Sequence, residues 1–309
     1  MTAKKKPEGL TAPEWEDLQK LSPEMQESLL SLRATMKSAA LSEAPPEPPY
    51  RMAQIIQLPL WPEPQRASPN AFLRSAVFPA IQGKTRRYMK NELVAAQQGY
   101  EIRFTGQMLD QSDFDIWLQA AHFARCSPLG DECRFTARGF LRSIGRTGGG
   151  NDLEWLKTRL AVLQASMIEI KTGAKWVRLN LLVRSSGNDE TTAIILKFDP
   201  LLIKLFASDN WTALQWGHRR QLKGKPLALW LHGYYSSHAA PYPVKLETLM
   251  EMSGSKGPLR NFRIRLETAF KELEASTGIK ATFNGNLVTV ERTPSPTQVR
   301  HLTQKRRCK

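Results

Sequence analysis

Residues 246–292 read LETLMEMSGSKGPLRNFRIRLETAFKELEASTGIKATFNGNLVTVER, and the order of patterns in this stretch decides the fold. A brief amphipathic piece, Leu246–Met252, runs into Ser253-Gly254-Ser255-Lys256-Gly257, a turn built from helix-breaking residues. Pro258 opens a long helical pattern that ends at Ser276, at the first position, where a missing N–H costs nothing. Leu259, Phe262, Leu266, Ala269, Phe270 and Leu273 fall in one sector of that helix and form its core face. The runs Ile279–Phe283 and Leu287–Arg292 then flank Asn284-Gly285, a two-residue hairpin signal. Upstream, Pro226–Ser237 reads as a helix and Tyr242–Lys245 as a short extended piece. Helix, helix, turn, helix and hairpin is the order of a winged helix-turn-helix domain.

The same order occurs once before. Asp113–Arg125 reads as a helix, Cys133–Phe135 as a short strand, and Thr136 as the cap of a brief helix, Ala137–Ile144. Gly145–Gly150 makes the turn, and Asp152–Gln164 the longer helix. Strands are expected at Met167–Lys171, Trp176–Arg184 and Thr191–Phe198, separated by Gly173 and by Ser185–Asn188. The expected class is therefore α+β: two tandem winged helix-turn-helix domains, residues 70–207 and 208–292. Residues 1–69 form a flexible N-terminal arm and linker. Residues 293–309 form a basic, disordered C-terminal tail.

Within the arm, residues 12–41 read as helix, with Trp15, Leu18, Leu21, Met25, Leu29, Leu32 and Met36 as the apolar stripe. Pro23 interrupts it at the first turn of a second segment opened by Ser22. The run Ala44–Pro49 carries four prolines, which exclude helix and sheet and mark a linker.

Composition narrows the function. The 309 residues hold 44 Lys and Arg against 29 Asp and Glu, a net charge of +15. Residues 1–50 carry six basic and eight acidic side chains, so the excess lies entirely in the body. A basic body suits a polyanionic partner, foremost nucleic acid. A mean hydropathy of −0.40, no long apolar run and no apolar core behind the basic start argue against a membrane span or a secretion signal, and so for the cytoplasm. Three scattered cysteines do not make a disulfide framework.

The candidate DNA contacts follow from the faces of these helices. On the long helix of residues 258–276, Asn261, Ile264, Thr268 and Lys271 lie opposite the core face, with Arg260 and Arg265 on its flanks and Lys256 just before it. Arginine can pair with guanine and asparagine with adenine in the major groove. In the first copy, Arg138, Arg142 and Arg146 on the short helix and turn are placed to grip phosphates, as are Lys171, Lys175 and Arg178 on the hairpin. Asp152 and Glu154 open its long helix and would repel phosphates, so the second domain is expected to read more of the sequence.

No catalytic constellation stands out. Tyr234-Tyr235 lacks the His-hydrophobic-His partner of a nicking enzyme. His122, Cys126 and Cys133 lack metal-ligand spacing, and Gly148–Gly150 lacks the Lys-Ser/Thr of a phosphate-binding loop. Neither a cofactor nor a metal is expected.

Two segments carry a family resemblance. One runs from Trp61-Pro62 through Arg66-Ala67-Ser68-Pro69-Asn70 to Arg74-Ser75-Ala76-Val77-Phe78. The other is the run from Ser236 to Thr248, SSHAAPYPVKLET. Phe104-Thr105-Gly106, Arg134-Phe135-Thr136 and Leu163-Gln164-Ala165 fall in the same order. From about residue 52 to residue 292 the chain resembles the TrfA-type plasmid replication initiators. That resemblance implies a bacterial protein that binds direct repeats (iterons) in double-stranded origin DNA, opens the adjacent duplex and recruits host DnaA, DnaB helicase and polymerase machinery. It leaves open a single-stranded origin ligand and a homodimer. It also implies that Gln57, Leu58, Leu60 and Trp61 dock on the host β sliding clamp, with Trp61 in place of the usual Phe and Pro59 stiffening the strand. The alternative is a winged-helix transcriptional repressor that binds promoter DNA.

Overall fold

In the computed structural model the long helix runs Leu259–Thr277 and buries Phe262, Leu266, Ala269, Phe270 and Leu273. The structure describes residues 16, 18–31, 58–81, 83, 86–97, 99–127, 132–188, 190–206 and 210–307. The chain divides into residues 1–55 and residues 56–309. In the first unit, residues 23–31 are helical, and Ser22 Oγ accepts from the Met25 N–H at 3.5 Å, so Pro23 sits in a first turn as expected. The proline-rich run lies outside the described residues.

The second unit begins with β1 (Gln65–Pro69) and α1 (Asn70–Leu73), followed by β2 (Tyr88–Gln97), β3 (Tyr100–Gln107) and α2 (Gln111–Ala124). Next come β4 (Glu132–Thr136), α3 (Ala137–Ser143), α4 (Gly150–Gln164), β5 (Met167–Thr172), β6 (Lys175–Asn180), β7 (Arg184–Asn188) and β8 (Ala193–Lys197). After α5 (Pro200–Lys204), β9 (Trp211–Gln215) and α6 (Trp216–Gln221), the later half contains α7 (Pro226–Ser236), β10 (Val244–Lys245) and α8 (Leu246–Met252). It ends in α9 (Leu259–Thr277), β11 (Lys280–Asn284), β12 (Leu287–Glu291) and α10 (Pro296–Arg307). Among the described residues four sheets result, ordered β1-β9, β2-β3-β5-β6, β4-β8-β7 and β10-β12-β11. The protein is a mixed α/β chain in which the helices expected beyond residue 70 recur close to the expected places, while of the helix expected over 12–41 residues 12–15, 17 and 32–41 lie outside the described residues.

Several helix ends carry a local reason in the sequence. Asp110 accepts from the Ser112 and Asp113 N–H groups while Asp113 accepts from Asp110 N–H, a reciprocal capping box that opens α2. Thr136 accepts from the Gly139 N–H at the head of α3. Gly278, at φ +74°, closes α9 in the left-handed conformation that glycine adopts without strain.

Among the described residues two apolar cores form. One gathers Trp61, Phe72, Trp117, Phe140, Leu160, Phe198 and Phe206; the other gathers Trp230, Tyr234, Phe262, Phe270 and Val288. Full burial of such a side chain is worth about 1.5–3 kcal/mol. The expected boundaries do not separate these cores. β1, read as arm, pairs along its whole length with β9, which lies beyond residue 207. Ala80 belongs to the second core, and its N–H donates to Ser253 O at 2.7 Å.

Other expectations are corrected. The strand expected at Trp176–Arg184 is broken, because Leu181 and Leu182 turn inward and are buried. Ser185–Asn188, expected as a loop, lies in β7 and pairs with β8. Pro258 is the N-cap of α9, with extended ψ of 138°, and not its first helical residue. In the last hairpin Asn284 pairs with Leu287, so Gly285 and Asn286 form the turn; Gly285 alone takes positive φ, the pattern of a type II′ turn. The tail expected to be disordered contains α10, begun by a Ser295–Gln298 capping box: Gln298 N–H donates to Ser295 Oγ at 3.3 Å, and Ser295 N–H to Gln298 Oε1 at 3.0 Å.

Candidate nucleic-acid interface

Burial of its apolar stripe forces α9 to present the other side to solvent. Arg260, Asn261, Ile264, Arg265, Thr268 and Lys271 are all exposed, as is Lys256 in the preceding turn. Ile264 is 57% exposed, a methyl surface set among hydrogen-bond donors. Arg263 is occupied: it donates to Glu267 Oε1 at 2.9 Å and to Gly285 O at 3.2 Å. Arg265 donates weakly to Lys256 O at 3.5 Å, and its guanidinium lies 5.8 Å from the Phe262 ring centre. The expected residues of this helix are thus brought together on one open, cationic and amide-bearing face. Such a face can donate to base edges and to phosphate oxygens.

The first half is more guarded. Arg138 and Arg142 are exposed on α3. Arg146, expected to hold phosphate, is instead held by the protein: it donates to Asp152 Oδ1 at 2.7 Å, and its guanidinium lies 3.4 Å from the Trp155 ring centre. Asp152 also accepts from Thr147 Oγ1 and Gly148 N–H; these bonds, Thr147 first, hold its carboxyl down at about 2. The negative charge expected to repel DNA is therefore already paired. Lys171 and Lys175 are exposed on the β5–β6 hairpin, whereas Arg178 pairs with Glu169 at 2.7 Å and lies 4.6 Å over Trp176.

Three residues escaped the sequence reading. Trp176 is 60% exposed beside the hairpin lysines. Arg220 and Lys223, at the end of α6, sit against the α3–α4 turn, where the Lys223 ammonium donates to Gly145 O. The basic run Arg219-Arg220-Gln221-Leu222-Lys223 was a usable signal for the last two.

The segment assigned to the sliding clamp is corrected in part. Gln57 lies outside the described residues, and Leu60 is 74% exposed, but Leu58 and Trp61 are buried in the first core. Trp61 stacks on Phe206 with ring centres 6.0 Å apart and donates from Nε1 to His122 Nδ1 at 3.0 Å. Neither side chain is available to a partner while this packing holds.

Tyr234 and Tyr235 are buried in the second core, where desolvation pushes both phenols up from their ordinary range. Burial likewise pushes the Cys133 thiol up to about 12. Among the described residues no group of three or more His, Cys, Asp or Glu side chains could hold a metal, and no helix is long and apolar enough to cross a membrane.

These features define a mixed α/β protein with exposed basic side chains on α3, α9 and the β5–β6 hairpin. The chain belongs to the TrfA protein family, whose model matches residues 50–292. A relative described as plasmid replication initiator protein TrfA, from Escherichia coli, is 28% identical over 251 residues, spanning 77% of this chain and 64% of that protein. Two solved structures of RctB domains 2 and 3 resemble the fold with TM-scores of 0.49 and 0.46 at 13% identity. Each covers 72% of this chain, and 96% and 95% of those chains respectively.

Proposed function

We propose that this chain is a non-enzymatic plasmid replication initiator that binds iterons at its plasmid's origin, promotes opening of the neighbouring duplex and recruits the host sliding clamp, DnaA and DnaB. In this reading both halves act as winged helices. Helix α9 enters the major groove with Arg260, Asn261 and Arg265, while Arg138, Arg142, Lys171 and Lys175 hold the backbone. The observation that carries the reading is the open face of α9, which gathers three arginine and amide side chains with Ile264 and Lys271 on one helix. Family membership and the TrfA relative support it. Trp176, exposed among lysines, favours an added affinity for single strands, since an aromatic ring stacks with any base.

The test is fluorescence anisotropy of the full chain on a duplex bearing direct repeats from beside its own coding region, against a scrambled duplex of equal composition. A preference of about 10³ or more supports an iteron reader. Equal, strongly salt-dependent binding to both overturns it.

A further inference from the structure

Helix α6 joins the two halves. Its Trp216 belongs to the first core and donates from Nε1 to Ser143 O at 3.0 Å, while Leu222, just past its end, belongs to the second. Arg219 between them has a fully buried side chain that pairs with Asp115 on α2 at 2.7 Å. It also donates to Gln111 Oε1 at 3.1 Å and to Leu229 O on α7 at 3.2 Å. Ser276, near the end of α9, donates to Gln221 Oε1 at 2.9 Å. One short helix therefore touches the turn before α4 on one side and the far end of α9 on the other.

A recess of about 120 Å³ opens where α6 meets that turn, lined by Asp115, Ile144, Gly145, Trp216, Arg219, Arg220 and Lys223. The Asp115 carboxylate is matched by Arg219, which leaves Arg220 and Lys223 as the recess's excess charge. Neither has a carboxylate within ion-pair distance among the described residues. Lys223 uses one ammonium proton on Gly145 O and keeps two; the Arg220 side chain makes no hydrogen bond among the described residues. Gly145 stands between them at φ +74°, and a Cβ there would lie 3.8 Å from both Arg220 Nε and Lys223 Nζ. The two cations therefore converge on one point of bare backbone, and Arg142 is exposed on the helix leading into it.

We propose that Arg220 and Lys223, converging at Gly145, form a seat for one backbone phosphate of duplex DNA. Because α6 bridges both halves, occupying the seat ties the grip of the first half to the placement of α9 in the second. The proposal rests on the DNA-binding reading above and adds a contact shared by both halves.

The test compares the full chain with Arg220→Gln/Lys223→Gln on the repeat and scrambled duplexes across a salt series. Both side chains are exposed, so the thermal midpoint should stay unchanged and report that the fold is intact. The seat predicts the same fold loss of affinity on both duplexes, an unchanged preference between them, and a salt slope shallower by about 0.9 for the one phosphate released. Replacing single phosphates by neutral methylphosphonates should find one position that weakens the unsubstituted protein and leaves the double variant unaffected. Unchanged affinity and slope in the double variant overturn the seat while the initiator reading stands. A slope change without any preference for the repeats keeps the seat and removes the initiator reading; absence of DNA binding removes both.

Discussion

Trp61 Nε1 donates to His122 Nδ1 across 3.0 Å, so that ring nitrogen carries no proton. The ring's proton sits on Nε2, which donates to Glu63 Oε1 at 3.0 Å. Burial is the main reason the His122 imidazole titrates down at about 4; the neighbouring Arg66 and Arg125 charges act the same way, against the Glu63 bond. His238 is also depressed to about 4 by burial, and His232 falls well below its ordinary range for the same reason.

A pH dependence follows. A histidine whose folded value lies below its unfolded value of about 6.5 binds its proton more readily in the unfolded chain. Stability is then fully present above pH 6.5 and is lost as pH falls toward 4, by up to about 1.4 kcal/mol per pH unit for each proton taken up. Urea unfolding at pH 7.5, 6 and 5 should show a midpoint that falls at each step. A midpoint flat over that range would mean these rings are protonated in the folded protein.

Trp61→Ala should cost about 3–5 kcal/mol, from a large cavity and an orphaned His122 Nδ1. Leu60→Ala, one residue away but exposed, should stay within about 0.5 kcal/mol. Urea melts of the two variants separate a core tryptophan from a partner anchor. Near-equal stability would return Trp61 to the clamp-binding segment, to be followed by pull-down with purified clamp.

Asp113 is fully buried and receives Arg159 at 2.6 and 2.7 Å as well as Arg86. Asp113→Ala leaves the buried Arg159 without its carboxylate, while Arg86 keeps Asp110, and should cost about 3–5 kcal/mol. Adding Arg159→Met should recover part of that loss in the same melt. A double variant no more stable than the single would show that the pair does not carry the cost.

Arg260→Ala should weaken binding to the repeats by about 1–3 kcal/mol and relax preference at one base pair, whereas Lys171→Ala should weaken cognate and scrambled duplexes alike. The ratio of the two affinities, measured by anisotropy, separates base reading from backbone grip.

Much of this was legible beforehand because the signals are local. The apolar sector of α9 and the Thr136 cap lie within a turn or two of the residues they organise. The β2–β3 hairpin escaped notice although Ile102, Phe104 and Gly106 alternate inward, because β2 carries Lys90, Asn91 and Glu92 and bulges between Met89 and Glu92. The burial of Trp61 could not be read from its own segment, since its partners His122, Phe206 and Trp211 lie far along the chain. The capture of Arg146 by Asp152 was within reach: six residues and one turn separate them. On α9 the open face was readable; the run from Arg219 to Lys223 carried the charge of Arg220 and Lys223, but their convergence on Gly145 required the path of α6.

Arg219 carries a consequence for anyone who would take the molecule apart. Its charge is answered by a carboxylate on α2, and two further donors by Gln111 on α2 and Leu229 O on α7, so a cut before α6 parts the buried guanidinium from its aspartate, while a cut after α6 takes Leu229 O from it. The two halves resemble interchangeable modules in element order, yet each lacks a piece the other supplies. Exchanging one half for that of a relative would transplant DNA preference only if Gln111, Asp115 and Arg219 travel together.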